Sequence, residues 1–130
     1  MSRRKSINVD GFNHGAQPIP AACRVANLVA TGGVYGLDAR TGRIPDAVTE
    51  QAALMFANLK AILEAAGTSL EEVVKMTVWV KEPAARQALN DQWLLAFPDS
   101  ASRPARHTVQ NDHLPANMLI QCDALAVTQP

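Results

Sequence analysis

Apolar residues recur at helical spacing through two stretches of the chain and alternate with polar residues through most of the rest. Met55, Leu59 and Ile62, with Phe56 and Leu63 beside them, mark one face of a run that starts near Thr49 and Glu50, while Glu50, Lys60 and Glu64 fall elsewhere. Gly67 stands where the C-terminal cap of that helix belongs. A second helix opens at Pro83, a residue suited to the first turn, repeats Leu89, Trp93 and Phe97 every fourth residue, and stops at Pro98. Between them, Ser69–Glu72 reads as a short turn and Val73–Lys81 as a strand. Val74, Met76, Val78 and Val80 share one face of that strand, and Lys75, Thr77, Trp79 and Lys81 the other. A tryptophan among lysines and threonine is best explained by burial against another element or another subunit.

Upstream, Lys5–Val9 predicts a short strand, Phe12–Ile19 a loop broken by Gly15 and Pro18, and Ala21–Val25 with Leu28–Thr31 a pair of strands turning at Ala26-Asn27. Gly32-Gly33 ends the second of these, and Asp38–Gly42 is a turn. The stretch Arg103–Val127 predicts a β-hairpin closed at His113–Asn117, where asparagine beside proline supplies turn chemistry. In it Met118, Ile120, Cys122, Ala124 and Ala126 form an apolar face. On the opposite side direct pairing brings Arg106, Thr108 and Gln110 near Gln121 and Asp123. That grouping admits two readings: Arg106 grips a small carboxylate through parallel hydrogen bonds, or it pairs with Asp123 at the surface. The order β, β-hairpin, α, β, α, β-hairpin predicts one α+β domain, residues 1–130, with two helices on one face of a mixed, largely antiparallel sheet.

Composition narrows the function classes. The 130 residues, 48% of them hydrophobic, suffice for one buried core. Twelve basic and twelve acidic residues cancel, removing the electrostatic footprint of non-specific nucleic-acid or anionic-membrane binding. No run approaches the ~20 apolar residues of a membrane span. The basic start Met1–Lys5 is followed by no long apolar region, so the expected location is cytoplasmic. Cys23 and Cys122 fall in predicted strands and read as buried thiols, and His14, His107 and His113 lack ligand spacing, so no metal is expected.

The run Arg103-Pro104-Ala105-Arg106, followed by Leu114-Pro115 and a strand ending Asp123-Ala124-Leu125-Ala126, resembles the C-terminal signature of the RidA (YjgF) family of reactive-intermediate deaminases. Ala26–Val29 leading to Gly32-Gly33, the segment Asn58–Gly67, and Val73–Lys81 resemble that family in order and spacing, covering nearly the whole chain after Gly11. The resemblance implies a chorismate mutase-like fold, a homotrimer with pockets between subunits, and no cofactor or metal. It implies hydrolysis of small 2-imino acids and their enamine tautomers to 2-keto acids and ammonia, with Arg106 holding the substrate carboxylate. Thr108 and the backbone at Gly33 would support the ligand, and Asn90 would lie near the site. Three positions depart from the family pattern: Ile19 stands for a tyrosine, Gly32 for a serine, and Gln121 for a glutamate thought to orient or activate the water. A glutamine can hydrogen-bond that water but cannot take its proton. Two alternatives therefore stay open beside deamination: a non-enzymatic binder of small carboxylates such as 2-keto acids, and a structural trimer in which Arg106 pairs with Asp123.

Overall fold

The computed structural model describes residues 3–128, so the outermost residues of the 1–130 domain expectation, Met1 and Ser2 among them, lie outside the described part. Nine elements are named here in chain order: β1 (Lys5–Ile7), β2 (Ala22–Val25), β3 (Leu28–Thr31), β4 (Val34–Tyr35), α1 (Val48–Ala65), β5 (Val73–Val80), α2 (Pro83–Ala96), β6 (Ala105–Gln110) and β7 (Ile120–Val127). The strands build one sheet in the order β1-β2-β3-β7-β5-β6, with β4 pairing off β7. All pairings are antiparallel except β5 with β6. Both helices pack together and onto one sheet face, α1 against β4 and β7 and α2 against β5.

The periodicities set these elements correctly. Met55, Leu59, Ile62 and Leu63 of α1 and Leu89 of α2 are wholly buried against Met76, Val78 and Ile120 of the sheet, so the helical stripe and the strand face meet as one core. Gly67 closes α1 with φ +86° and Pro83 opens α2. Gln51 is the polar exception in that core: its amide donates to Pro45 O and Asn117 O and accepts from Leu119 N, which leaves no buried group unmet there.

Four sequence expectations need correction. The predicted hairpin does not form: β6 lies parallel to β5, Met76 opposite Arg106, and β7 pairs the other edge of β5, Met76 opposite Ala124. β5 carries six apolar residues of eight, and pairing on both edges satisfies its backbone while Val73, Met76, Val78 and Val80 are buried. Helix α2 supplies the crossover that a parallel pair requires. The connection after β6 then passes over the end of β5, where Asn111 N donates to Val80 O and Lys81 Nζ to Leu114 O and Ala116 O. Val74 is 57% exposed instead of buried, because the register shifts between Val73 and Lys75 and Val73 takes the inward place. The first strand ends at Ile7, short of Val9. At both tight turns alanine adopts the left-handed backbone, Ala26 (φ 54°) and Ala116 (φ 49°), in place of the neighbouring asparagines. Asn117 instead uses its amide to tie Ile44 O and Asp46.

Candidate functional site

Register decides which side chains meet. Across β6, β5 and β7, Arg106 lines up with Met76 and Ala124, and Thr108 with Val78 and Cys122, so both project to the helix-covered face. Gln121 lines up with Trp79 and Val109, and Asp123 with Thr77 and His107, on the open face. Arg106 and Asp123 therefore do not pair, and the predicted grouping of Arg106, Thr108, Gln121 and Asp123 is not made within one chain. The register through β5 aligns Arg106 with Ala124 instead of Asp123, and that one-residue difference puts the two groups on opposite faces.

On the helix side Arg106 is held from α2. Its Nη2 donates to Asn90 Oδ1 at 2.9 Å, and its Cζ stands 4.7 Å from the centre of the Trp93 ring. Trp93 is 9% exposed and itself packs on Phe97, edge to face at 4.7 Å. The ring is thus a fixed platform for the guanidinium, attracting it as a cation over a π face. Burial, and after it the nearby charge of Arg86, hold the Arg106 guanidinium below its usual range. No carboxylate forms an ion pair with it among the described residues. Asn90, singled out in the sequence, lies in the site, and Thr108 flanks it two residues along β6. Trp93 was read only as core, and its second role was legible in the i, i+3 spacing of Asn90 and Trp93.

The second group gathers around Gly33, between β3 and β4. A Cβ there would stand 2.8 Å from Gln121 Nε2, so the absence of a side chain lets the Gln121 amide lie against the backbone. Gln121 Nε2 also approaches Met118 Sδ at 3.7 Å. His14 Nε2 donates to Gly33 O at 2.6 Å, and its Nδ1 is buried without a hydrogen-bond partner among the described residues. The His14 ring lies 5.3 Å from Phe12 and 6.2 Å from Tyr35, whose hydroxyl donates to Asn13 O. Ile19, 52% exposed, directly precedes Pro20, whose carbonyl packs near Gly32. Neither His14 nor Tyr35 was flagged as a site residue in the sequence, because a loop histidine touches a distant glycine only after folding.

Asp123, half-buried beside this group, has its carboxyl raised by burial, opposed by a backbone hydrogen bond from Thr77 and the charge of Lys75. Burial, then Asp123, pushes the Cys122 thiol up, and Cys23 and Cys122 are both free, Cys23 only half-buried. Among the described residues no set of three or more His, Cys, Asp or Glu gathers as metal ligands, and no helix is long and apolar enough to cross a membrane. A cleft of about 870 Å³ bordered by Tyr35, Asp38, Arg43, Asp46, Glu50 and Asn117 contains none of the residues predicted from sequence.

Comparison with known proteins places this geometry. The family model Endoribonuclease L-PSP matches residues 15–128. A RutC family protein of Pyrococcus abyssi is 36% identical over 110 residues, 84% of this chain and 85% of the relative. The 2-iminobutanoate/2-iminopropanoate deaminase of Escherichia coli K12 is 32% identical over 124 residues, 95% of this chain and 97% of the relative. Among solved structures, E. coli TdcF with bound serine superposes with a TM-score of 0.87 at 29% identity, covering 96% of this chain and 99% of that one. With a sheet order, two helices and a sequence match that run through almost every described residue, the chain belongs to the RidA (YjgF) family.

Proposed function

We propose that the protein is a cofactor-independent deaminase that hydrolyses a small 2-imino acid to a 2-keto acid and ammonia. The observation that carries the reading is Arg106: a guanidinium fixed on Trp93 and tied to neutral Asn90, with no acidic partner among the described residues. A planar fork with donors to spare is the group that grips a carboxylate through two bonds. A relative of this fold with bound serine, and relatives named as imine deaminases, support the same ligand class. Hydrolysis adds water across the C=N bond, and collapse of the resulting carbinolamine expels ammonia. Holding the imine beside one oriented water supplies much of the acceleration of a reaction that already runs in water. Thr108 flanks the ligand and Gln121 holds the water by hydrogen bonding.

Because Arg106 and the Gly33–Gln121 group face opposite sides of the sheet, the reading requires them to come from neighbouring copies in a homotrimer. Trp79 on the open face belongs to that interface. Light scattering should give about three times 13.9 kDa, and imine trapping should register faster loss of 2-iminobutanoate with protein than without. A monomer at micromolar concentration, or no acceleration, would sink the proposal. Gln121 favours one second reading, a carboxylate binder without turnover, since its amide cannot accept the proton of water. Calorimetric binding of 2-oxobutyrate without imine hydrolysis would decide for it.

A further inference from the structure

Arg86, Asn90 and Trp93 stand at positions i, i+4 and i+7 of α2, and that spacing puts all three on one stripe of the helix. Two of the three hold Arg106 in place. The third carries a second guanidinium from the same stripe, and its charge, after burial, disfavours the protonated form of Arg106. Arg86 is exposed and makes no ion pair or hydrogen bond among the described residues. The acids along α2 do not neutralise it: Asp91 accepts from Gln87 at 2.8 Å, and Glu82, the residue before the helix, forms no ion pair with it. Two like charges converging with no carboxylate between them repel, and an anion bound across both removes the cost.

We propose that Arg86 makes this a site for dicarboxylic 2-oxo and 2-imino acids, Arg106 taking the carboxylate next to the reacting carbon and Arg86 the distal one. The inference rests on the reading of Arg106 as a carboxylate holder. Residues four apart on a helix have their Cβ atoms about 5–6 Å apart, so Arg86 starts one turn from Asn90, whose side chain holds Arg106, and its long side chain can reach the far end of a four- or five-carbon diacid gripped at Arg106. A monocarboxylate leaves the second guanidinium unpaired.

The test is calorimetric titration of the full chain with 2-oxoglutarate and with 2-oxobutyrate, in wild type, Arg86→Gln and Arg106→Ala. Arg86 is exposed on a helix, so Arg86→Gln is expected to fold, and unchanged circular dichroism checks it. Wild type should bind 2-oxoglutarate about tenfold more tightly than 2-oxobutyrate, the scale of one charged hydrogen-bonding partner. Arg86→Gln should erase that preference and leave 2-oxobutyrate binding unchanged, and Arg106→Ala should lose both ligands. If Arg106→Ala abolishes binding while Arg86→Gln keeps the wild-type preference, or if wild type shows no preference, the dicarboxylate assignment alone falls. If Arg106→Ala still binds 2-oxobutyrate as wild type does, the reading of Arg106 falls, and this inference with it.

Discussion

The two halves of the candidate site are built to different degrees. Around Arg106 every support is present in one chain: α2 supplies the Trp93 platform and the Asn90 acceptor, and Phe97 backs the tryptophan. Around Gly33 and Gln121 the floor is present but nothing stands opposite, since this face of the sheet carries no helix and leaves Leu28 and Leu125 about half exposed. A guanidinium needs an oriented partner to be useful, and a packed helix fixes one cheaply. A glutamine lying on a glycine backbone needs only open space. The difference shows where change is tolerated: alterations at Arg106 disturb a finished device, whereas alterations at Gln121 complete or empty an unfinished one.

The largest effect is expected from completing the unfinished half. Gln121→Glu is nearly isosteric and introduces a group able to take a proton from water, help typically worth ~10²–10⁴-fold. Imine trapping across pH should show faster 2-iminobutanoate hydrolysis than wild type, with a new acid limb. The same substitution combined with Arg106→Ala should lose the gain. If wild type is already fast and Gln121→Glu adds nothing, the two halves are equally complete and water is positioned without a side-chain base.

Breaking the finished half comes next. Arg106→Ala should weaken 2-oxobutyrate binding by roughly 10–100-fold, the worth of charge-assisted bonds, with the fold intact. Arg106→Lys should recover little, lacking the planar fork. Wild-type affinity in either variant would show that the Trp93 platform serves packing alone.

Glycines separate site from scaffold on a smaller scale. At Gly33 the atoms nearest an added Cβ belong to the movable end of Gln121, so Gly33→Ala should melt near wild type while displacing that amide and slowing hydrolysis. At Gly36 the added Cβ would stand 2.5 Å from Gln51 O and 2.7 Å from Gln51 Cα, backbone that α1 holds still. Gly36→Ala should therefore cost about 1–3 kcal/mol of stability, as overpacking does. Equal melting temperatures for the two variants would remove the distinction.

The smallest effect concerns Asp123. Its carboxyl is raised in the fold, first by burial, so the folded chain holds this proton more tightly than the unfolded one. That contribution is fully present below the unfolded pKa and disappears as pH rises through the folded value. Asp123→Asn should then melt slightly above wild type near neutrality, with the gap closing on acidification through the carboxylate range. A gap that stays constant across pH would assign the change to packing.

The sequence by itself determined both helices, with their faces and ends, and the inward set of β7, because periodicity and caps depend only on residues a few places apart. It also singled out Arg106, Asn90, Thr108, Gly33, Gln121 and Ile19, though through resemblance more than pattern. Only the tertiary structure decided how they divide. Every strand offers the same backbone donors and acceptors to any neighbour, so the alternation in 103–127 was compatible with a hairpin and equally with two strands parted by β5. The strand–helix–strand order β5, α2, β6 was the available signal for a parallel crossover. Once β5 took the centre, Arg106 turned to Trp93 and Asn90, and Gln121 was left on the open face. Choice of strand partner is settled by which strands find a neighbour on both edges and a helix over their apolar face, a property of the whole sheet that no local window of sequence contains.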